Sequence, residues 1–309
     1  MTLAAEAPDL DVLSSFKGPV YGFAHHRGFT HSFLGLMAVS GVVVGLIYLL
    51  WLLRGRKASI PNLPPRWGLL FVFAYIAGLS HIFLDFTNNY GVRPFWPFFE
   101  KWYSWDIVFI VEPALYIFLV AGLVLPVFLS RHNPLPRGRM AATIALLCVI
   151  GFYAVRDHEH RNARHAIERQ PSDADAPLRV SVYPYYWSLF RWYGVVETKD
   201  SFITSDLDSR TGELDPAERE RIPKPLETPA TIAAKRSYLG RVYLDWAQYP
   251  MVTEVSHGSG YHVEFRDLRF AYPRLRERRN ILSASVDLDE HLRVVRESVG
   301  TRAQQPPLD

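Results

Sequence analysis

The run FLGLMAVSGVVVGLIYLLWLL, Phe33 to Leu53, carries no charged residue and constrains the chain more than any other feature. About 20 such residues span the hydrocarbon core of a bilayer as a helix, where lipid offers the backbone no outside hydrogen-bond partner. Three further apolar runs follow at 67–87, 107–129 and 140–155, the last short for a span. Beyond Val155, acids, bases and prolines dominate. This asymmetry predicts an α-helical multi-pass membrane domain, residues 1–155, followed by a soluble extramembrane region.

In that second region the charged, breaker-free stretch RDHEHRNARHAIERQ prolongs the fourth helix, and with the proline-bearing segment after it makes an extension and linker over 156–177. His158, His160 and His165 read there as a solvated helix face. Residues 178–309 contain LRVSVYP, RWYGVVETKDSFITSDLDS, RSYLGRVYLDWA, YHVEFRDLRFAY and NILSASVDLDEHLRVVRES. Their valines and aromatics, several in alternation, predict antiparallel strands and a β-rich domain. SHGSGYHV supplies a hairpin turn, with His257 and His262 as surface or cross-strand residues. SDLDSRTGELDPAERERIPKP reads as a long loop, and YPYYWSLFRWYG as partly sheet core.

The formal charge of +3 is dispersed, with no basic stripe interleaved with aromatics, which argues against nucleic acid as a partner. Cys148 is the single cysteine, so no intrachain disulfide forms, and its apolar setting reads as core. Arg54, Arg56, Lys57 and Arg66 stand unopposed between the first two runs, as do Arg131, Arg137 and Arg139 between the last two. Under the positive-inside rule these two loops face the cytoplasm. The N-terminal segment, the loop at 88–104 and everything after Val155 then face outward.

On that map the polar intruders share one side. HHRGFTHS precedes the first span, and His81 and Asp85 lie at the outer end of the second, four residues apart and so on one helix face. Asp9 and Asp11 precede the first span, while Asp106 and Glu112 open the third. Ionisable groups at a membrane are costly unless paired or functional. His26 and His31 meet only if a loop carries His26 into a helix capped near Thr30 or Ser32. Imidazoles with carboxylates suit a divalent cation such as zinc, manganese or iron, which can activate water and polarise a phosphoryl oxygen. Arg27 offers a planar fork for an anionic group, and Asp106 or Glu112 can handle protons. Singly, each has an ordinary reading: His81 as a buried histidine, Asp85 and Asp106 as helix caps, Asp9 and Asp11 as loop acids, His25 as an interfacial spectator. Their joint placement favours a site.

PDLD, HRGFTHS, SHIFLDFTNNYG and WDIVFIVEP together resemble the LexA-binding, inner-membrane-associated metal-dependent hydrolase family, over Pro8 to Pro113. The resemblance implies a multi-pass protein of the bacterial inner membrane, with Asp9, Asp11, His26, His31, His81 and Asp85 on metal. Members of that family usually begin with a further apolar helix bearing a histidine before the PDLD element, and MTLAAEAPDLD reads like the tail of one. The functional expectation is a metal-dependent hydrolase at the outer face of the membrane, acting on a phosphoester of a lipid or envelope precursor, with Arg27, Asp106 and Glu112 as catalytic residues. The rival is a non-enzymatic envelope protein in which a structural metal or polar network staples the helices and the β domain binds a partner.

Overall fold

The chain is described from a computed structural model over residues 1–54, 65–129, 134–169, 176–273 and 282–305. Two compact units emerge, and each mixes helices with one antiparallel sheet. The first comprises Met1–Phe86, Tyr90–Ser104 and Pro225–Asp309, the second Thr87–Asn89 and Trp105–Lys224. Three helices are long and apolar enough to cross a membrane among the described residues: Phe33–Leu53, Trp67–Thr87 and Gly138–Glu168. Arg56, Lys57, Arg131 and residues 170–175 of the expected extension and linker lie outside the described residues.

In the first unit, α1 (Thr2–Glu6) leads into an 11-residue 3-10 helix, Ala7–Lys17, and then α2 (Pro19–His25). The membrane helices α3 (Phe33–Leu53) and α4 (Trp67–Thr87) follow. Ser32 caps α3 as expected, its hydroxyl accepting from the Gly35 amide at 2.9 Å. Ala4 of α1 is buried against Val44 and Ala74, well inside the two membrane helices.

In the second unit, the third apolar helix begins later than the sequence suggests. α5 spans Pro113–Leu129 and has 17 residues, so 107–112 is not helical. Proline lacks an N–H and disfavours helical backbone in the residue before it, so Pro113 starts this helix instead of bending one already begun. α6 (Pro134–Glu168) is one continuous helix of 35 residues, the expected fourth span with its charged extension. Its face Phe152, Arg156, Glu159, Ala163 and Ile167 is buried, at helical spacing, and it packs on β1 (Arg179–Pro184) and β2 (Arg191–Glu197). β3 (Ser201–Asp208) and β4 (Glu220–Pro223) complete an antiparallel sheet in the order β1-β2-β3-β4. The segment read as a long loop therefore ends in a strand. His160 is not on a solvated face: its ring lies 5.4 Å from that of Trp192, which is fully buried. Cys148 is exposed on apolar α6, not in a core.

The remaining sheet belongs to the first unit. α7 (Pro229–Arg236) and α8 (Tyr238–Trp246) precede an antiparallel meander of β5 (Pro250–His257), β6 (Gly260–Asp267), β7 (Ala284–Leu288), β8 (Val294–Val299) and β9 (Arg302–Gln304). The β5–β6 turn is the predicted Gly258-Ser259 hairpin, with Gly258 at φ +61°. His262 pairs across the sheet with Asp287 at 2.6 Å. RSYLGRVYLDWA is a helix and not a strand. Its β-type composition is overridden by Leu239, Tyr243 and Trp246, which recur at helical spacing and are all buried, and by the Ser237 cap. These side chains join Val252, Val263 and Phe265 in a core that also takes in Val20 of α2 and Tyr90.

Candidate metal centre

Four elements of the first unit bring the candidate groups together. The 3-10 helix carries Asp9 and Asp11, and the end of α2 delivers His26 and Arg27. A 3-10 turn, Phe29–His31, presents His31, and α4 contributes His81 and Asp85 on one face. The link between α2 and α3 is tight. Arg27 takes a left-handed φ of +51°, and its amide is held by Asp11 Oδ2 at 2.7 Å. At Gly35 a Cβ would fall 1.8 Å from the Phe29 carbonyl oxygen, so only glycine lets the His31 turn sit on the start of α3.

One ligand atom from each of Asp9, His31, His81 and Asp85 lies within 4.8 Å of all the others. His31 Nε2 stands 3.4 Å from Asp9 Oδ1 and 3.3 Å from Asp85 Oδ2. His81 Nε2 stands 3.3 Å and 3.5 Å from the same two oxygens. Nitrogen and oxygen thus alternate around a small quadrilateral. Bonds of about 2.0–2.1 Å to a tetrahedral ion place ligand atoms roughly 3.3–3.4 Å apart, which matches these edges. His31 Nε2, His81 Nε2 and Asp85 Oδ2 are buried and make no well-aligned hydrogen bond in spite of these short distances. Three inward-facing polar atoms without aligned partners fit a shared cation better than a set of mutual hydrogen bonds.

Asp11 and Arg27 stand behind this quadrilateral. Asp11 Oδ2 lies 3.2 Å from His31 Nδ1, the nitrogen away from the cluster, while its Oδ1 is 3.1 Å from His26 Nδ1. Such a carboxylate fixes the orientation of a ligand imidazole. Arg27 donates to Asp85 Oδ1 at 2.7 Å and to the Gly91 carbonyl at 3.1 Å, and its guanidinium lies 4.7 Å from the centre of the Tyr90 ring. Burial pushes the Tyr90 phenol up to about 12, so the ring stays neutral beneath the cation. Tyr90 is itself seated by the α8 core, where Trp246 Nε1 donates to its carbonyl at 3.1 Å.

Charge in the cluster is shared. His31, followed by His81, holds Asp9 well below the usual carboxylate range. Burial opposes charge on Asp11, yet His26 and His31 together outweigh it and keep that carboxyl low as well. For His31 burial again opposes the cation, but Asp11, Asp85 and Asp9 raise it to about 10.

Of the residues singled out from sequence, Asp9, His31, His81 and Asp85 meet in the quadrilateral. Asp11 and His26 lie next to it without joining it. Arg27, expected to grip an anionic substrate, is buried and turned toward Asp85. Asp106 and Glu112 belong to the second unit. Asp106, at φ +59°, does not cap α5, which starts at Pro113. Glu112 is buried and paired with Arg156 at 3.1 Å. His25 stacks on Tyr21, 3.8 Å between ring centres, away from the cluster. Sequence reasoning missed Tyr90 and Gly91 as supports for Arg27, although both stand inside the quoted stretch SHIFLDFTNNYG.

Residues 1–160 match the family described as YdjM inner membrane protein. The chain belongs to that family. An inner-membrane protein is what both the YdjM match and the three apolar helices describe. The chain is also 23% identical over 271 residues to the uncharacterized protein YfhP of Bacillus subtilis (strain 168), covering 87% of this chain and 76% of the relative. The YdjM match includes every residue of the quadrilateral, and neither comparison speaks of LexA binding or of hydrolysis. No solved structure matches the chain.

Proposed function

We propose that Asp9, His31, His81 and Asp85 bind a divalent cation such as zinc, manganese or iron, and that this YdjM-family member is a metal-dependent hydrolase of the inner membrane. The observation that carries the reading is the alternating quadrilateral of two imidazole nitrogens and two carboxylate oxygens, with edges of 3.3–3.5 Å. The donor set is nitrogen and oxygen without thiolate, which suits a borderline or hard cation. A bound cation would supply a Lewis acid for a phosphoryl oxygen and lower the pKa of water.

The chain's own residues divide the remaining tasks. Asp11 orients His31, and Arg27 fixes the second oxygen of Asp85. His26, half-exposed and held at Nδ1 by Asp11, is placed to carry a proton on its other nitrogen. Asp9 is half-exposed, so substrate reaches the cluster from its side. The substrate class that suits an anion-seeking cation at the end of two membrane helices is a phosphoester of a lipid or envelope precursor. Outward orientation of the site follows from the arginine-rich loops.

A second reading draws on the charge balance just described. Protonated His31 together with Arg27 neutralises much of the carboxylate charge, so a closed polar network could staple α3 and α4 without turnover. The full chain purified with added zinc or manganese separates the two. The wild type should retain metal and hydrolyse a phospholipid in a metal-dependent way. His81→Ala should lose the metal while remaining inserted, and His25→Ala should keep it. A wild type that holds no metal, with His81→Ala indistinguishable from it, would sink the hydrolase reading.

A further inference from the structure

We propose that the row Leu10–Leu13–Phe16 of the 3-10 helix is inserted in lipid at the membrane boundary and acts as the anchor that seats Asp9 and Asp11. A 3-10 helix has three residues per turn, so side chains three apart eclipse along one face. Leu10, Leu13 and Phe16 form such a row, and they are 59%, 53% and 88% exposed. The row beside it carries Pro8 and Asp11, which turn inward. Runs of this helix type beyond three or four residues are uncommon, and this one has 11. Local hydrogen bonding alone does not account for so long a run, and the two faces give it something to lie between.

Lipid is the occupant because of where the segment runs. Ala4 packs on Val44, which stands about 16 Å along α3 from Phe33 at 1.5 Å per residue. Asp11 reaches His31, two residues ahead of α3. The segment therefore climbs from the middle of the apolar slab to its edge while touching α3. At the start of that helix Leu34 and Met37 are exposed apolar side chains as well. Lys17 closes the helix 4.9 Å from the centre of the Tyr21 ring, a basic and aromatic pair of the kind that gathers at a membrane interface.

The test uses the full chain with Cys148→Ser, reconstituted in vesicles of phosphatidylethanolamine and phosphatidylglycerol. Leu13→Cys and Phe16→Cys are labelled with an environment-sensitive fluorophore, and Glu290→Cys serves as the aqueous control. Lipids bearing a nitroxide high on the acyl chain should quench positions 13 and 16 at least about two-fold more than aqueous iodide does, and position 290 should show the reverse. Stronger quenching by iodide at 13 and 16 overturns the proposal. So does quenching by neither, with label-to-label energy transfer that rises with protein density, since that assigns the row to a second copy. A second measurement leaves the spans untouched. In Leu13→Ser/Phe16→Ser, amide exchange over residues 7–17 should quicken by about ten-fold or more, and unchanged exchange overturns the anchor. Neither readout depends on metal or turnover, so this proposal and the hydrolase reading fail separately.

Discussion

Asp9 and Asp11 stand two positions apart in sequence and meet His31 at different nitrogens in the fold. With three residues per turn, two steps carry a side chain most of the way round the 3-10 axis. Asp9 therefore faces His31 Nε2 and His81, while Asp11 meets His31 at the opposite nitrogen. Replacing Asp11 by Asn should lower metal affinity roughly 10–100-fold without removing a ligand, the usual effect of losing an orienting carboxylate. Equilibrium dialysis would measure it, and a loss as large as that of Asp9→Asn would instead make Asp11 a ligand. His31 supplies a test in protons. Its pKa is raised from 6.5 to about 10, so at pH 7.5 the metal-free imidazole carries a proton that must leave before the ring can bind a cation. The stabilisation from that charged ring is fully present below pH 6.5 and is lost as pH rises through about 10. Calorimetry at pH 7.5 in buffers of different ionisation enthalpy should therefore show proton release on metal binding, and buffer-independent heats would exclude His31 from the centre. All four members of the quadrilateral were legible in sequence, because a charge or imidazole beside apolar sequence needs a reason. The division between ligand and support was not legible, since it depends on 3-10 rather than extended geometry.

Among elements, the turn between α2 and α3 is the most sensitive to change. A methyl group at Gly35 meets a backbone carbonyl at 1.8 Å, and backbone cannot rotate aside as a side chain can. Gly35→Ala should shift the Phe29–His31 turn, cut metal retention by at least about ten-fold and leave α3 helical. Circular dichroism and metal content together would check this, and full retention would show that the turn has slack. Gly78→Ala makes a useful contrast, because there the new methyl meets the movable end of Leu36. Apolar run length predicted α3, α4 and α6, whose lipid-facing sides need only be uniformly apolar. It overextended the third helix, since Pro113 acts through the backbone of its neighbour and hydropathy is blind to that. Aromatic and β-branched content misassigned α8, where the spacing of buried side chains outweighs composition.

At the scale of the whole molecule, the arginine-rich loops predict both sheets on the side opposite the cytoplasm. With Cys148→Ser, cysteines at Thr211 and Glu290 test one sheet each. Both should react with an impermeant thiol reagent in intact cells, while a cysteine at Arg56 should be protected. The reverse pattern would turn the proposed site toward the cytoplasm. What sequence could not show is that the β-rich region is two sheets in two units, because the contacts that assign them join residues far apart in the chain. Trp246 supports Tyr90, and Gln304 Oε1 accepts from the Val20 amide at 3.2 Å at the start of α2. The first unit thus includes a segment, from Pro225 onward, that is synthesised after Trp105–Lys224 of the second. α3 and α4 are available for insertion early, but the brace behind Arg27 is absent until α8 and the β5–β9 sheet have been made. A nascent chain therefore passes through a stage in which the histidines and aspartates of the cluster are already made while the support that α8 gives Tyr90 is still to come.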